Sequence, residues 1–268
     1  MLEQVWWAAR AAPWFPGWIW FQAVAVVVGA LLLAKRSGPG LLLPFLAGVA
    51  LAAASAVALG CGTEWVAWAK SGGRGPLPEL EIAGFGALIG LVVGHVVLAR
   101  ARGLSGRRAL DALAAPIGAM IAVARTGCFF AGCDFGQPTN AAWALAYPRW
   151  TPAFRAQLDA GLVGAAATRT LPVHPTQLYE VIVGLVVLVA ALAAGPPRRD
   201  GDRFAAAALT YAAGRMLVDV FRGDLARGGS LGLTSTQALA LALTGAVVAW
   251  RFAAGPSRSG RVSGGRPS

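Results

Sequence analysis

The chain alternates long apolar runs with short polar connections, and seven runs are long enough to suggest membrane helices. A span needs about 20 mostly apolar residues. The runs cover 14–34, 41–61, 82–98, 110–124, 178–194, 204–221 and 231–252. The fourth is the shortest and contains Asp111 and Pro116. The pattern predicts an all-α fold, a polytopic bundle of about seven transmembrane helices. A long outward-facing segment, 125–177, joins the fourth and fifth spans. Residues 1–253 read as one membrane domain. The tail 254–268 is Gly, Ser, Pro and Arg, too polar to pack, and is expected to be a disordered basic extension in the cytoplasm. The glycines of "GFGALIG", 84–90, suit close helix packing.

Composition supports the membrane reading. Hydrophobic residues make up 57% and charged residues 13%, against roughly 25% charged in a soluble domain. Orientation follows from the basic residues. With the N-terminus outside, Lys35, Arg36, Arg100, Arg102, Arg107, Arg108, Arg198, Arg199 and Arg203 fall inside with the tail arginines. Several outside arginines lie in the long segment, where they count for little. The expected topology is N-terminus out and C-terminus in. The net charge of +11 suits inside loops that face anionic lipid. No aromatic stacking platform or helix-turn-helix pattern points to nucleic acid. The N-terminal run lacks a basic n-region and a clean small-residue cleavage site, so the first span is expected to stay.

Candidate chemistry gathers in and around 125–177. Gly127, Gly132 and Gly136 allow tight turns and close approach of a ligand. Gln137-Pro138-Thr139-Asn140 reads as a turn. Trp143, Tyr147 and Trp150 suit a water–lipid interface. In the sixth run, Tyr211, Arg215 and Asp219 recur every four residues and share a helix face, with Arg222 beyond. An internal Arg215–Asp219 ion pair is one reading, and an anion site is the other, because arginine grips phosphate through a planar fork. His95, on an apolar span, reads as a satisfied core histidine.

The stretch "HPTQLYE", His174 to Glu180, puts polar groups against an apolar run. His174-Pro175 favours an extended entry. Thr176 can cap the first helical turn, and Glu180 suits its positive end. Gln177 and Tyr179 can tie the loop to the bundle. The stretch can equally contact substrate, and His174 can transfer a proton near neutral pH.

Three stretches carry a family resemblance. "HPTQLYE" is similar to HPxQLYE of the prolipoprotein diacylglyceryl transferases. "RTGCFFAGCDFGQPT", from Arg125, resembles their R-x-G-N-F-x-N-x-E-x-x-G-x-P-T. "YAAGRMLVDVFRGD", from Tyr211, resembles Y-G-x-x-R-x-x-x-E-x-F-R. The resemblance covers about 14–252. It implies a bacterial inner-membrane enzyme, working at the outer leaflet without metal or other cofactor. Its substrates are phosphatidylglycerol and the lipobox segment of preprolipoproteins. It implies that Arg125 and Arg215 meet the charge of the leaving phosphate, with His174 the candidate for proton transfer. Gly127, Gly136, Gln177, Tyr179, Glu180, Tyr211, Asp219 and Arg222 are the candidate substrate-binding residues.

The chain departs from this pattern at the acid/base positions. Phe85 stands where the family has the histidine of H-G-G-L-x-G, Cys128 where it has Asn, and Cys133 where it has Glu, with Asp134 adjacent. Cys128 and Cys133 suit a disulfide, a thiol-exchange site or two inert thiols. With only His174 beside them outside, no metal site is expected. The alternatives are a transferase of the same fold with another acceptor, or a non-catalytic phospholipid-binding or thiol-redox membrane protein.

Overall fold

A computed structural model describes residues 17–70, 72–73, 84–193, 199–223 and 234–253. The expected starts of the first, third and seventh spans, the residues Arg10, Arg74, Arg198, Asp224 and Arg227, and the tail 254–268 lie outside them. The described helices are α1 (Gly17–Ser37), α2 (Leu42–Lys70), α3 (Gly84–Ala101), α4 (Gly106–Ala131), α5 (Pro152–Asp159), α6 (Thr176–Ala193), α7 (Asp202–Asp219) and α8 (Ser235–Ala253). A single 3-10 turn, Pro39–Leu41, leads into α2.

The fold is helical, as the run pattern predicts, and this is a membrane protein. Among the described residues five helical stretches are long and apolar enough to cross a bilayer: Ile19–Ser37, Pro39–Gly62, α3, α4 and α6. The expected sixth and seventh spans fall short of that measure. Helix α7 carries Asp202, Arg203, Arg215 and Asp219 within 18 residues, and α8 offers only the shorter apolar stretch Gln237–Trp250. Both still pack into the bundle, α7 against α4, α6 and α8.

Helix α4 is the centre of the bundle. It packs against α1, α3, α6 and α7, and 61% of its span is buried, against 17–33% for the other four spans. It runs to Ala131, beyond the expected end at 124. Pro116 does not stop it. Nor is Asp111 a break: its carboxylate accepts from the backbone N–H of Gly201 (2.7 Å) and of Phe204 (3.0 Å), capping α7. Ser105 caps α4 at its start, and Gly132 ends it with φ 71°, a left-handed turn that costs glycine little.

Small residues set the helix spacing. A Cβ on Gly90 of α3 would lie 2.5 Å from the Leu51 carbonyl of α2, and one on Gly86 2.5 Å from that of Ser55. Between α4 and α6, a Cβ on Gly184 would lie 2.7 Å from the Ala122 nitrogen. Membrane helices gain little from apolar burial between them, so such close backbone packing matters. Gly184→Leu is therefore expected to part α4 from α6 and destabilise by about 1–3 kcal/mol or more. Gly62→Leu, where the added side chain meets open space, serves as the neutral control in thermal unfolding. His95 lies in the core as expected: it is fully buried and Nε2 meets the Ala109 carbonyl at 3.1 Å, joining α3 to α4.

The segment after α4 folds over that helix's C-terminal end. Isolated bridges pair Gly136 with Arg222, Pro138 and Leu145 with Val173, and Pro148 with Arg169. Phe129, Tyr147, Ala153 and Val173 form its own small core. Two expectations change here. Residues 137–140 are not a turn: Gln137 and Thr139 donate to Phe221 (2.8 Å) and Pro172 (2.9 Å) as an extended stretch. Tyr147 is not at a water–lipid interface: it is fully buried, and its hydroxyl donates to Gln177 at 3.0 Å.

Candidate functional site

The last turns of α4, the first turns of α6 and the end of α7 meet beneath the loop. Their charged side chains form one connected cluster. Glu180, 1% exposed, is ion-paired with three guanidinium groups. Its Oε2 meets Arg125 Nε at 2.5 Å, and its Oε1 meets Arg215 Nη1 at 3.2 Å and Arg222 Nη1 at 3.7 Å. Asp134 holds Arg125 Nη1 and Arg222 Nη2, each at 2.6 Å. Asp219 meets Arg215 Nη2 at 3.6 Å and accepts from the Thr234 hydroxyl. Arginines 125, 215 and 222 thus balance carboxylates 134, 180 and 219. A buried charge is tolerated when an opposite charge stands against it, and this pairing is what makes the cluster tolerable.

The local fold explains the convergence. Arg125 lies one and a half turns before the end of α4, so the helix runs past it rather than closing on it. Asp134 adopts φ 57°, a left-handed conformation that Asp tolerates better than most residues. That turn aims its carboxylate back at Arg125 and Arg222. Tyr211 stands one helical turn from Arg215 on α7 and is buried within hydrogen-bonding reach of Arg125. The two ion pairs of Arg125 use Nε and Nη1. Its Nη2 faces Gly84, 3.6 Å from where a Cβ would begin. Phe85, beside it, packs 6.5 Å from the Tyr211 ring. Phe85 therefore sets an apolar ring beside the arginine cluster.

"HPTQLYE" does two jobs. The Thr176 hydroxyl donates to the Asp134 carbonyl at 2.6 Å. Gln177, fully buried, donates to the Cys133 carbonyl at 2.5 Å and accepts from Tyr147. These bonds pin the loop that carries Asp134. Glu180, rather than serving the helix end, faces the arginines. Gln177→Ala is expected to strand the Tyr147 hydroxyl and the Cys133 carbonyl, at about 1–3 kcal/mol each. Thermal unfolding and faster proteolysis within 132–175 would report it.

His174 and Tyr179 form a separate chain. Trp143 Nε1 donates to the Tyr179 hydroxyl at 2.6 Å, and that hydroxyl meets His174 Nδ1 at 3.0 Å. Phe221 packs on the His174 ring, centroids 5.0 Å apart. Successive helical residues point about 100° apart, at 3.6 residues per turn. Tyr179 and Glu180 accordingly serve different networks.

The glycines act through packing. Gly127 is inside α4 against Phe21, where a Cβ would come within 2.6 Å of the Phe21 Cβ, so it makes no turn. Gly136 threads between the His174 and Phe221 carbonyls, 2.5 and 2.7 Å from its would-be Cβ. Cys128, Cys133 and Cys61 are free thiols. Cys133 Sγ donates to the Cys128 carbonyl at 3.7 Å. The hydrogen bond with Cys128, and then burial, push the Cys133 thiol well up from its ordinary value. Arg125 Nη1 approaches Cys128 Sγ at 4.0 Å.

Of the residues singled out in the sequence, the structure brings Arg125, Glu180, Tyr211, Arg215, Asp219 and Arg222 to one place and sets His174 and Tyr179 in a separate chain. Sequence reasoning omitted Asp134, Thr176 and Thr234 from the candidate set. A charge balance could have found Asp134, because only Asp134 and Asp159 supply carboxylates between Arg125 and Gln177.

Comparison with known proteins fits this arrangement. The family described as prolipoprotein diacylglyceryl transferase matches residues 79–251. That stretch includes every member of the cluster. A protein of Bordetella avium named phosphatidylglycerol–prolipoprotein diacylglyceryl transferase is 32% identical over 155 residues, 55% of this chain and 52% of that one. Proteins of the same name from Acaryochloris marina and Methylocella silvestris are 32% identical over 146 residues and 31% over 185. These matches cover 53% of this chain and 49% of the Acaryochloris protein, and 64% and 61% for Methylocella. The chain spans about half the length of the first curated relatives it matches. The chain belongs to the prolipoprotein diacylglyceryl transferase family.

Proposed function

We propose that this protein transfers the diacylglyceryl group of phosphatidylglycerol to the thiol of a preprolipoprotein lipobox cysteine. The observation that carries the reading is Arg125. Glu180 and Asp134 fix its guanidinium through Nε and Nη1, while Nη2 lies toward Gly84. A guanidinium held this way is preorganised for an anion, and preorganised charge is usually the largest catalytic contribution. In the reaction the acceptor sulfur forms a bond to the glycerol carbon. The bond from that carbon to the phosphate oxygen breaks, and glycerol phosphate leaves with the electron pair. Arg125, with Arg215 and Arg222 behind the shared carboxylates, stabilises the departing phosphate.

The thiol proton must also leave, because the thiolate is the nucleophile. Phe85 cannot accept it. His174 is the candidate acceptor, its ring oriented by Tyr179 and Trp143. Gly127, Gly136, Gln177, Tyr211 and Asp219 act as supports, holding the loop and the arginines in place. We place the reaction at the outer face of a bacterial inner membrane, with the N-terminus outside, the C-terminus inside and one membrane domain through residue 253. The distribution of arginine supports that orientation. Arg36, Arg108 and Arg203 line a cavity of about 290 Å³, and Arg108 lies 17 residues from Arg125 on α4, roughly 25 Å at 1.5 Å per residue.

Purified protein mixed with phosphatidylglycerol vesicles and a lipobox peptide tests the reading. Mass spectrometry is expected to find the diacylglyceryl mass on the peptide cysteine and none on a serine version. Glycerol phosphate release without peptide modification would instead indicate a same-fold transferase with another acceptor. His174→Gln is expected to lower transfer by about 10²–10⁴-fold if His174 takes the proton. Unchanged turnover in that variant would remove His174 from the mechanism.

A further inference from the structure

The proposed transfer uses neither Cys128 nor Cys133. Their sulfurs and a carboxylate oxygen of Asp134 all lie within 4.8 Å of one another. Backbone geometry builds this convergence. Gly132 turns left-handed at the end of α4, and Asp134 does so again two residues later. Cys133 is thereby folded back over the last helical turn, onto Cys128.

We propose that Cys128, Cys133 and Asp134 form a binding site for a thiophilic divalent cation of the zinc class. Two cysteine sulfurs and a carboxylate oxygen are donors that zinc accepts, and two sulfurs about 2.3 Å from a tetrahedral ion stand roughly 4 Å apart. The charge balance accommodates the same occupant. The surrounding cluster already balances three arginines against three carboxylates. Two thiolates with one divalent cation add no net charge to it, whereas two thiolates alone would leave a buried excess.

The ligands are also held from behind. Gln177 fixes the Cys133 carbonyl at 2.5 Å, and Thr176 fixes that of Asp134 at 2.6 Å. Arg125 and Arg222 orient the Asp134 carboxylate, and each carboxylate oxygen carries two lone pairs. Such outer partners are what a metal site requires. Three protein ligands leave a fourth position open to a small molecule, the arrangement of reactive rather than purely structural zinc sites. The site goes beyond the proposed transfer and does not rest on it.

The test uses the full chain without a histidine tag, reduced with a phosphine and loaded with zinc or cobalt(II). One equivalent of metal per chain is expected to survive gel filtration. The cobalt form is expected to show sulfur-to-cobalt charge-transfer absorption. Cys128→Ser, Cys133→Ser and Asp134→Asn should each weaken binding by more than the roughly 10–100-fold that loss of an outer-shell partner costs. Cys61→Ser, in a residue away from the site, should not. Because the serine and asparagine replacements are nearly isosteric, unchanged circular dichroism is expected to accompany the loss. Wild-type protein that holds no more metal than the Cys128→Ser variant would overturn the proposal. So would a Cys128–Cys133 disulfide that resists the phosphine and excludes metal.

Discussion

Arg125→Ala is expected to lower diacylglyceryl transfer by about 10²–10³-fold, the usual cost of removing one preorganised donor from a developing charge. The loss should appear in both kcat and kcat/KM. An interaction that strengthens only in the transition state behaves this way, whereas uniform substrate binding changes KM alone. Arg125 is singled out because Glu180 and Asp134 lock two of its nitrogens and leave Nη2 toward Gly84. Arg215 is 4% exposed and divides its two terminal nitrogens between Glu180 and Asp219. Arg215→Ala should therefore harm stability as well as turnover. Steady-state kinetics with vesicles, beside an unfolding curve for each variant, separates the two effects.

Glu180→Ala is expected to be the most damaging single change to stability. Glu180 is 1% exposed and meets three guanidinium groups. Breaking a buried ion pair by removing one partner costs about 3–5 kcal/mol, because an uncompensated charge remains. Here the loss leaves three buried arginines with two carboxylates, Asp134 and Asp219. Glu180→Gln keeps the shape and one acceptor oxygen, so it should fall between wild type and alanine. Thermal unfolding in detergent, in that order of variants, checks this. If Glu180→Ala melted with the wild type, the cluster would not be the keystone of the loop.

The helical class was legible in the apolar runs because a bilayer leaves few ways to bury a backbone. The boundaries were less so. Asp111 and Pro116 looked like interruptions of the fourth run, yet Asp111 caps α7 from across the bundle. A long-range bond of that kind leaves no trace in local hydropathy. The arginines of the site were legible because charge inside an apolar run calls for a partner. The partner itself was not. Glu180 was read as a helix-end charge, and the left-handed turn that swings Asp134 between Arg125 and Arg222 belongs to the tertiary fold. Likewise Gly127 and Gly136 looked like ligand-approach positions. Their actual constraint is a neighbour, Phe21 for one and two backbone carbonyls for the other. Tyr147 was drawn toward the interface by its residue type, and Gln177 draws it inside.

Glycerol phosphate release from phosphatidylglycerol vesicles, measured with wild type, Arg125→Lys and Arg125→Ala in the presence of a lipobox peptide, tests the central claim most directly. Lysine keeps the charge but loses the planar fork that Glu180 and Asp134 hold. The account predicts peptide-dependent release by the wild type, a large loss with lysine and a larger one with alanine, all in folded protein. Equal release from all three would contradict it, and so would none from the wild type while a curated relative is active in the same vesicles.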